Sequence, residues 1–142
     1  MLEPAPTTKI DPTLARATLL EDAPEGGGII KLAFPNTSYQ VYLRTDGPVG
    51  VAPGKRVIGV IQAQAKRIDR VKTGGRYVEP VYGRPRRVQG TVVAIADGRI
   101  VVNAGMPIHC APTDPRQKAS DFEPGDFVSF DILDGASFSP RM

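Results

Sequence analysis

From Gly28 onward, apolar and polar positions alternate in short runs, and the pattern predicts strands joined by turns. Ile29 to Phe34 and Tyr39 to Leu43 flank the turn cluster Pro35-Asn36-Thr37-Ser38. Val57 to Ile61 is a dense apolar run, continued by Gln62, Gln64 and Lys66 at alternate positions. That strand begins buried and ends with one polar face. Val88 to Ala96 and Arg99 to Asn103 flank Asp97-Gly98, the dipeptide of type I′ hairpins. A two-residue loop there pairs Ile95 with Ile100 and Val93 with Val102. In Phe127 to Leu133, Val128, Phe130 and Ile132 are predicted to face the core, and Ser129 and Asp131 to face water.

The first 27 residues read differently. Residues 1–10 are polar, and Pro4 and Pro6 favour an extended, flexible arm. Asp11-Pro12 predicts a helix start, with Asp11 as N-cap and Pro12 at the first helical position. A short helix over Thr13 to Ala23 then buries Leu14, Ala17, Thr18 and Leu20, until Pro24 and Gly26-Gly27-Gly28 stop it. An extended course through Thr18-Leu19-Leu20 is the competing reading.

Arg67 to Tyr82 reads as a second hairpin, with Gly74-Gly75 as its loop. The register pairs Val71 with Val78, Arg70 with Glu79, Lys72 with Tyr77 and Ile68 with Val81. Neither face is wholly apolar, so the ribbon is expected to project from the body as an arm. Gly83-Arg84-Pro85-Arg86-Arg87 follows it. A faint internal repeat is also visible. Gly28 to Leu32, Tyr39 to Leu43 and Pro53-Gly54-Lys55-Arg56-Val57 make one copy. Gly90 to Ile95, Ile100 to Asn103 and Pro124-Gly125-Asp126-Phe127-Val128 make the other. Pseudo-duplication and common turn preferences account for it equally well.

Composition narrows the class. With 142 residues, 41% hydrophobic and 23% charged, the chain can bury a core, which excludes wholesale disorder. The 15 Gly and 14 Pro punctuate it too often for a helical bundle and favour an all-β fold. No run approaches the roughly 18 apolar residues of a membrane-crossing helix. The first ten residues lack the apolar stretch of a signal peptide. The single cysteine allows no internal disulfide, so a reducing, cytoplasmic setting is expected.

The net charge of +3 is an average over unlike parts. Residues 1–27 carry −3, residues 28–54 carry +1, residues 55–90 carry +8 and residues 91–142 carry −3. The +8 stretch predicts a phosphate-tracking surface, since Arg and Lys that neutralise phosphates release counterions. Its candidate residues are Lys66, Arg67, Arg70, Lys72, Arg76, Tyr77, Tyr82, Arg84, Arg86 and Arg87, with the tyrosines as stacking platforms. The competing expectation is an assembly module, in which the arm docks on an acidic surface of a second copy to form a homo-oligomer.

Residues 88–133 resemble the OB-fold class, especially its cold-shock and S1-like nucleic-acid modules. The resemblance is carried by Gly90-Thr91-Val92-Val93-Ala94-Ile95 and Asp97-Gly98-Arg99-Ile100-Val101-Val102. Pro107-Ile108-His109-Cys110-Ala111 follows, then Phe122-Glu123-Pro124-Gly125-Asp126-Phe127-Val128-Ser129-Phe130-Asp131-Ile132. It implies a small barrel whose second and third strands stack bases on exposed aromatics. Arg99 to Val102 has no aromatic, so nucleic-acid contact falls to Tyr39, Tyr42, Tyr77, Tyr82 and the basic arm. The expected organisation is an arm over 1–27 and an OB-like β-barrel over 28–142, with the hairpin 67–82 projecting.

Catalytic patterns fall short. His109 and Cys110 are adjacent on a strand and point to opposite faces, although Asp114 is near enough in sequence to orient His109. Gly50 to Arg56 misses P-loop spacing and lacks its Ser or Thr. No strand is predicted before Gly26-Gly27-Gly28, as a dinucleotide loop requires. The acids of the last third have no EF-hand spacing. The sequence therefore predicts a non-catalytic protein without metal or cofactor.

Overall fold

A computed structural model of the chain describes residues 11–141. The arm expected over residues 1–10 lies outside the described residues. The strands are β1 (Ala15–Glu21), β2 (Gly28–Ala33), β3 (Gln40–Thr45), β4 (Arg56–Ala65), β5 (Asp69–Arg70) and β6 (Tyr77–Glu79). They continue with β7 (Tyr82–Gly83), β8 (Arg87–Ala96), β9 (Arg99–Asn103), β10 (Pro107–Pro112), β11 (Phe127–Asp131) and β12 (Ser137–Pro140). A 3-10 turn at Ala119–Asp121 is the only helical element among the described residues, and nothing there is long and apolar enough to cross a membrane as a helix.

Five strands close into a small OB-like barrel. β1 pairs antiparallel with β2, β2 with β3, and β1 with the first half of β4. β12 fills the gap, parallel to β3 and antiparallel to β4. Closure satisfies the backbone groups that an open sheet leaves at its edges. Ile30, Leu32, Val41, Leu43, Val57 and Ile61 point inward and are buried. Gly59 is needed where β12 crosses, because a Cβ there would lie 2.5 Å from the Phe138 ring.

A second ring shares β4. Its outer half, Gln62 to Ala65, runs parallel to β10. β10 pairs with β9, β9 with β8, and β8 with β11, all antiparallel. The circuit returns to the end of β4 through the antiparallel bridge between Ile132 and Ala65, and β5 extends that contact along β11. The two rings have the same course. β1, β2, β3 and β4 correspond to β8, β9, β10 and β11. In each, a fifth strand lies parallel to the third. The fifth strand of each ring follows the fourth strand of the other.

This arrangement corrects the sequence in three places. The stretch 88–133 that resembles the OB class makes four strands of the second ring and borrows its fifth from β4. The closed barrel with its own β12 instead uses residues 15–65 and 137–140. The faint repeat is real in topology, and its Pro-Gly strands β4 and β11 do correspond, but its hairpins are one strand out of phase, since β2 and β3 match β9 and β10 once β1 is a strand.

β1 is the second correction. Ala15, Ala17 and Leu19 are buried with a period of two, between β2 and β4, which a helix over 13–23 could not achieve. Asp11 does take the Thr13 N–H and hydroxyl, at 2.8 and 2.6 Å, but as a turn that leads into a strand. The domain boundary at residue 27 therefore disappears, since β1 belongs to the barrel.

The third correction concerns residues 67–82, which form no hairpin. β5 pairs with β11, β6 with β8 and β7 with β3. Val71 donates its N–H to the Phe127 carbonyl at 2.9 Å, not to a partner across Gly74-Gly75. Ile68 and Val78, each 2% exposed, pin the segment to the body. It covers the outer face of β8 and β11, so Ser129 is buried rather than facing water. Gln89, beneath the same cover, donates to the Gly75 carbonyl at 2.8 Å. The segment through which assembly was expected is thus laid against its own molecule.

Elsewhere the strands agree with expectation. Asp97 and Gly98 take φ of 53° and 74°, as a type I′ turn requires, and Ile95 pairs with Ile100. A bulge at Val93 then shifts the register, so Val102 meets Val92 instead.

The loop between β1 and β2 is tethered by Asp22. Its carboxylate accepts backbone N–H groups from Ala23, Val49 and Gly50 at 2.8, 2.8 and 3.1 Å. Partial burial pushes the carboxyl upward, but those three bonds outweigh it and hold the pKa below the ordinary value. A lowered folded pKa gives stability that is present above the unfolded value, about 3.9, and lost as pH falls through the folded one. Acidification below about pH 4 should therefore lower the protection of the Val49 and Gly50 amides, relative to their intrinsic exchange rates at the same pH, before the core opens. Asp22→Asn should reproduce that loosening at neutral pH; unchanged exchange at both amides would refute the tether.

Candidate nucleic-acid interface

Alternation along β2 and β3 decides what the first barrel shows to solvent. Inward Ile30, Leu32, Val41 and Leu43 leave Ile29, Lys31, Tyr42 and Arg44 on the outer face, with Lys31 opposite Tyr42 and Ile29 opposite Arg44. The Lys31 ammonium lies 5.0 Å from the Tyr42 ring centroid and 2.9 Å from Glu21. The hydrogen bond to Glu21, then its charge, raise the Lys31 pKa. β7 runs parallel to β3 along its free edge, with Tyr82 beside Gln40. Tyr82 is 59% exposed and extends the same outer face.

Beyond Tyr82 the chain lines an open groove of about 820 Å³. Lys66, Arg84, Arg86 and Arg87 supply its positive wall, and Glu79, Asp131 and Asp134 oppose them. A second hollow of about 350 Å³ shares Lys66, Arg87 and Asp131 and adds Arg67, Asp69 and Arg116. In the other direction Arg84 also borders a hollow of about 430 Å³ with Arg44 and the Gly26–Gly28 loop.

Five of the ten predicted residues, Lys66, Tyr82, Arg84, Arg86 and Arg87, meet in the main groove. Arg67 borders the adjoining hollow and pairs with Asp69 at 3.1 Å. Arg70 is tied down: it pairs with Asp126 at 3.2 Å, donates to the Asp121 carbonyl and lies 4.7 Å over the Phe122 ring. Lys72 and Arg76 are exposed in the turn before β6, away from the groove. Tyr77 is half-buried, and its hydroxyl accepts a hydrogen bond from Arg87 at 3.4 Å. Tyr39 likewise accepts the Val78 N–H at 3.1 Å, so both tyrosines brace the fold rather than face a ligand.

The positive stretch is partly neutralised from within. Arg70, Arg84 and Arg87 reach Asp126, Asp134 and Asp131, all in the acidic last third of the chain. Arg87 also donates to Ser129 at 2.7 Å, and the Tyr77 hydroxyl, then Asp131, raise its pKa. Lys66, Arg44 and Arg86 form no ion pair among the described residues. Lys31 and Arg44 lie outside the basic run of residues 55–90. The signal that reveals them is alternation, which places them with Tyr42 on one face.

His109 and Cys110 do point apart. Cys110 is fully buried, which pushes its thiol pKa far up. His109 Nε2 lies 2.7 Å from the Thr13 carbonyl, not near Asp114. Asp114 is held by Arg116, whose side-chain hydrogen bond above all takes the carboxyl down to about 2. Among the described residues, no group of three His, Cys, Asp or Glu converges as metal ligands.

Comparison with protein families, curated proteins and solved structures returned no match.

Proposed function

We propose that this protein binds single-stranded nucleic acid without catalysing a reaction, in the manner of OB-type cold-shock and S1 modules. The observation that carries the reading is one continuous face. Tyr42 and Tyr82 lie on the outer side of β2, β3 and β7, and Arg44, Arg84 and Arg86 surround them. The face of the second and third strands is where OB barrels take oligonucleotides. The exposed Tyr82 ring, with half-buried Tyr42 beside it, offers a stacking surface to any base, because every base has a π-face. Arg44 and Arg86, unpaired among the described residues, follow the phosphates.

The test is fluorescence anisotropy with labelled oligo-dT and oligo-U at low and physiological salt. Tyr82→Ala should weaken binding about fivefold or more, as loss of one stacked base costs about 1–3 kcal/mol. Arg86→Ala should weaken all sequences alike and reduce the salt slope by about one. Retention of neither oligonucleotide at low salt ends this reading, and so does a Tyr82→Ala variant that binds as wild type.

A further inference from the structure

The hollow between the Gly26–Gly28 loop and Arg44 has a use that strand tracking leaves over. Gly26, at φ 87°, is held in a turn closed by the Gly27 N–H on the Pro24 carbonyl at 3.0 Å. Gly27 lies hard against the end of β3: a Cβ on it would sit 2.7 Å from the Thr45 carbonyl oxygen. Gly26 is the opposite case, with no atom within 4 Å of a Cβ position. Its N–H has no hydrogen-bond partner among the described residues. The space of about 430 Å³ in front of this loop is bordered by the side chains of Arg44 and Arg84, with Asp46 as the one acid on its wall.

We infer that this hollow is a subsite for a terminal phosphate group. A free backbone N–H and two guanidinium groups form a set of donors suited to phosphate oxygens. A phosphomonoester carries about −1.5 to −2 at neutral pH, where a backbone diester carries one charge. Its larger charge strengthens the repulsion from Asp46 too, but with two arginines against one acid it gains more than it loses. Arg84 already holds an anion: Asp134 lies 3.2 Å away, with both side chains more than half exposed. Exposed pairs of this kind contribute little, so a phosphate can take Asp134's place on Arg84. The inference rests on the nucleic-acid reading for its natural ligand, the phosphorylated end of a strand. A free phosphate or mononucleotide shares the same chemistry.

The experiment uses the full chain. Inorganic phosphate is titrated while the amide resonances of Gly26 to Gly28 are followed, with chloride at matched ionic strength as control. Oligonucleotides bearing a 5′-phosphate, a 3′-phosphate or neither are then compared by anisotropy, beside a mononucleotide. Phosphate, but not chloride, should shift the Gly26 amide to saturation. One phosphorylated end should bind about tenfold tighter than the bare strand. Arg44→Ala should bring that ratio to one, and Asp134→Asn should tighten phosphate binding about threefold. A preference for the mononucleotide over either phosphorylated strand assigns the subsite to free nucleotides. A Gly26 amide indifferent to phosphate, or a ratio of one in the wild type, overturns the subsite. If phosphate shifts Gly26 while no strand binds, the nucleic-acid reading falls and the subsite stands.

Discussion

Replacing Phe138 with alanine is expected to cost about 3–5 kcal/mol of stability, and to cost it in both rings at once. Phe138 is 3% exposed on β12, paired with Ile61 of β4, and its ring packs over Gly59. Truncation leaves a cavity where the first barrel closes. β4 does not belong to that barrel alone, since its outer half is the fifth strand of the second ring. One hydrophobic cluster also runs through both, from Ile30 and Leu43 to Val102 and Phe130. Loosening β4 therefore exposes residues far from β12. Hydrogen exchange under native conditions should show the Val92 and Val102 amides losing as much protection as those of Ile30 and Leu43, together with one cooperative melt by circular dichroism. Preserved protection at Val92 and Val102 beside lost protection at Ile30 would show the rings to be separate folding units.

Gly90→Ala should be nearly as damaging for a different reason. Gly90 points inward between Val88 and Val92, where a Cβ would sit 2.1 Å from the Asn103 carbonyl oxygen and 2.7 Å from its carbon. Overpacking usually costs about 1–3 kcal/mol. Here the obstacle is backbone, which no rotamer change can clear, so a loss of about 3 kcal/mol or more is expected. Gly75 is the control, because nothing lies within 4 Å of its Cβ position and its φ is ordinary. Gly75→Ala should stay within about 0.5 kcal/mol of the parent. Equal urea midpoints for the two variants would dismiss the steric account of Gly90.

Much of the strand layout could be read from the chain, because alternation is a local property. Arg99 to Asn103 and the turn before it are defined by Asp97-Gly98 and by neighbours at the next positions. The sharing of strands was hidden, because the fifth strands carry weak signals. Ser137-Phe138-Ser139-Pro140 has one large apolar residue, and Gln62 to Ala65 reads as the tail of a strand already counted. Residues 67–82 misled for a related reason. Gly74-Gly75 is a good local hairpin loop, but Ile68 and Val78 find better burial against the body. The acids that receive Arg70, Arg84 and Arg87 lie 44 to 56 residues away in sequence. Charge counting located half of the candidate face. Tyr42 is among the tyrosines the sequence offers, but Lys31 and Arg44 join it only once β2 and β3 are known to present one side to solvent.

The exchange of fifth strands bears on how such a chain can be inherited. A recombination break between residues 70 and 87 yields two fragments, each missing one strand of its own ring and carrying the one the other lacks. Neither fragment can be grafted elsewhere as a self-contained barrel. Split between two genes, the halves would be obliged to find each other. The smallest portable unit is therefore the pair of rings.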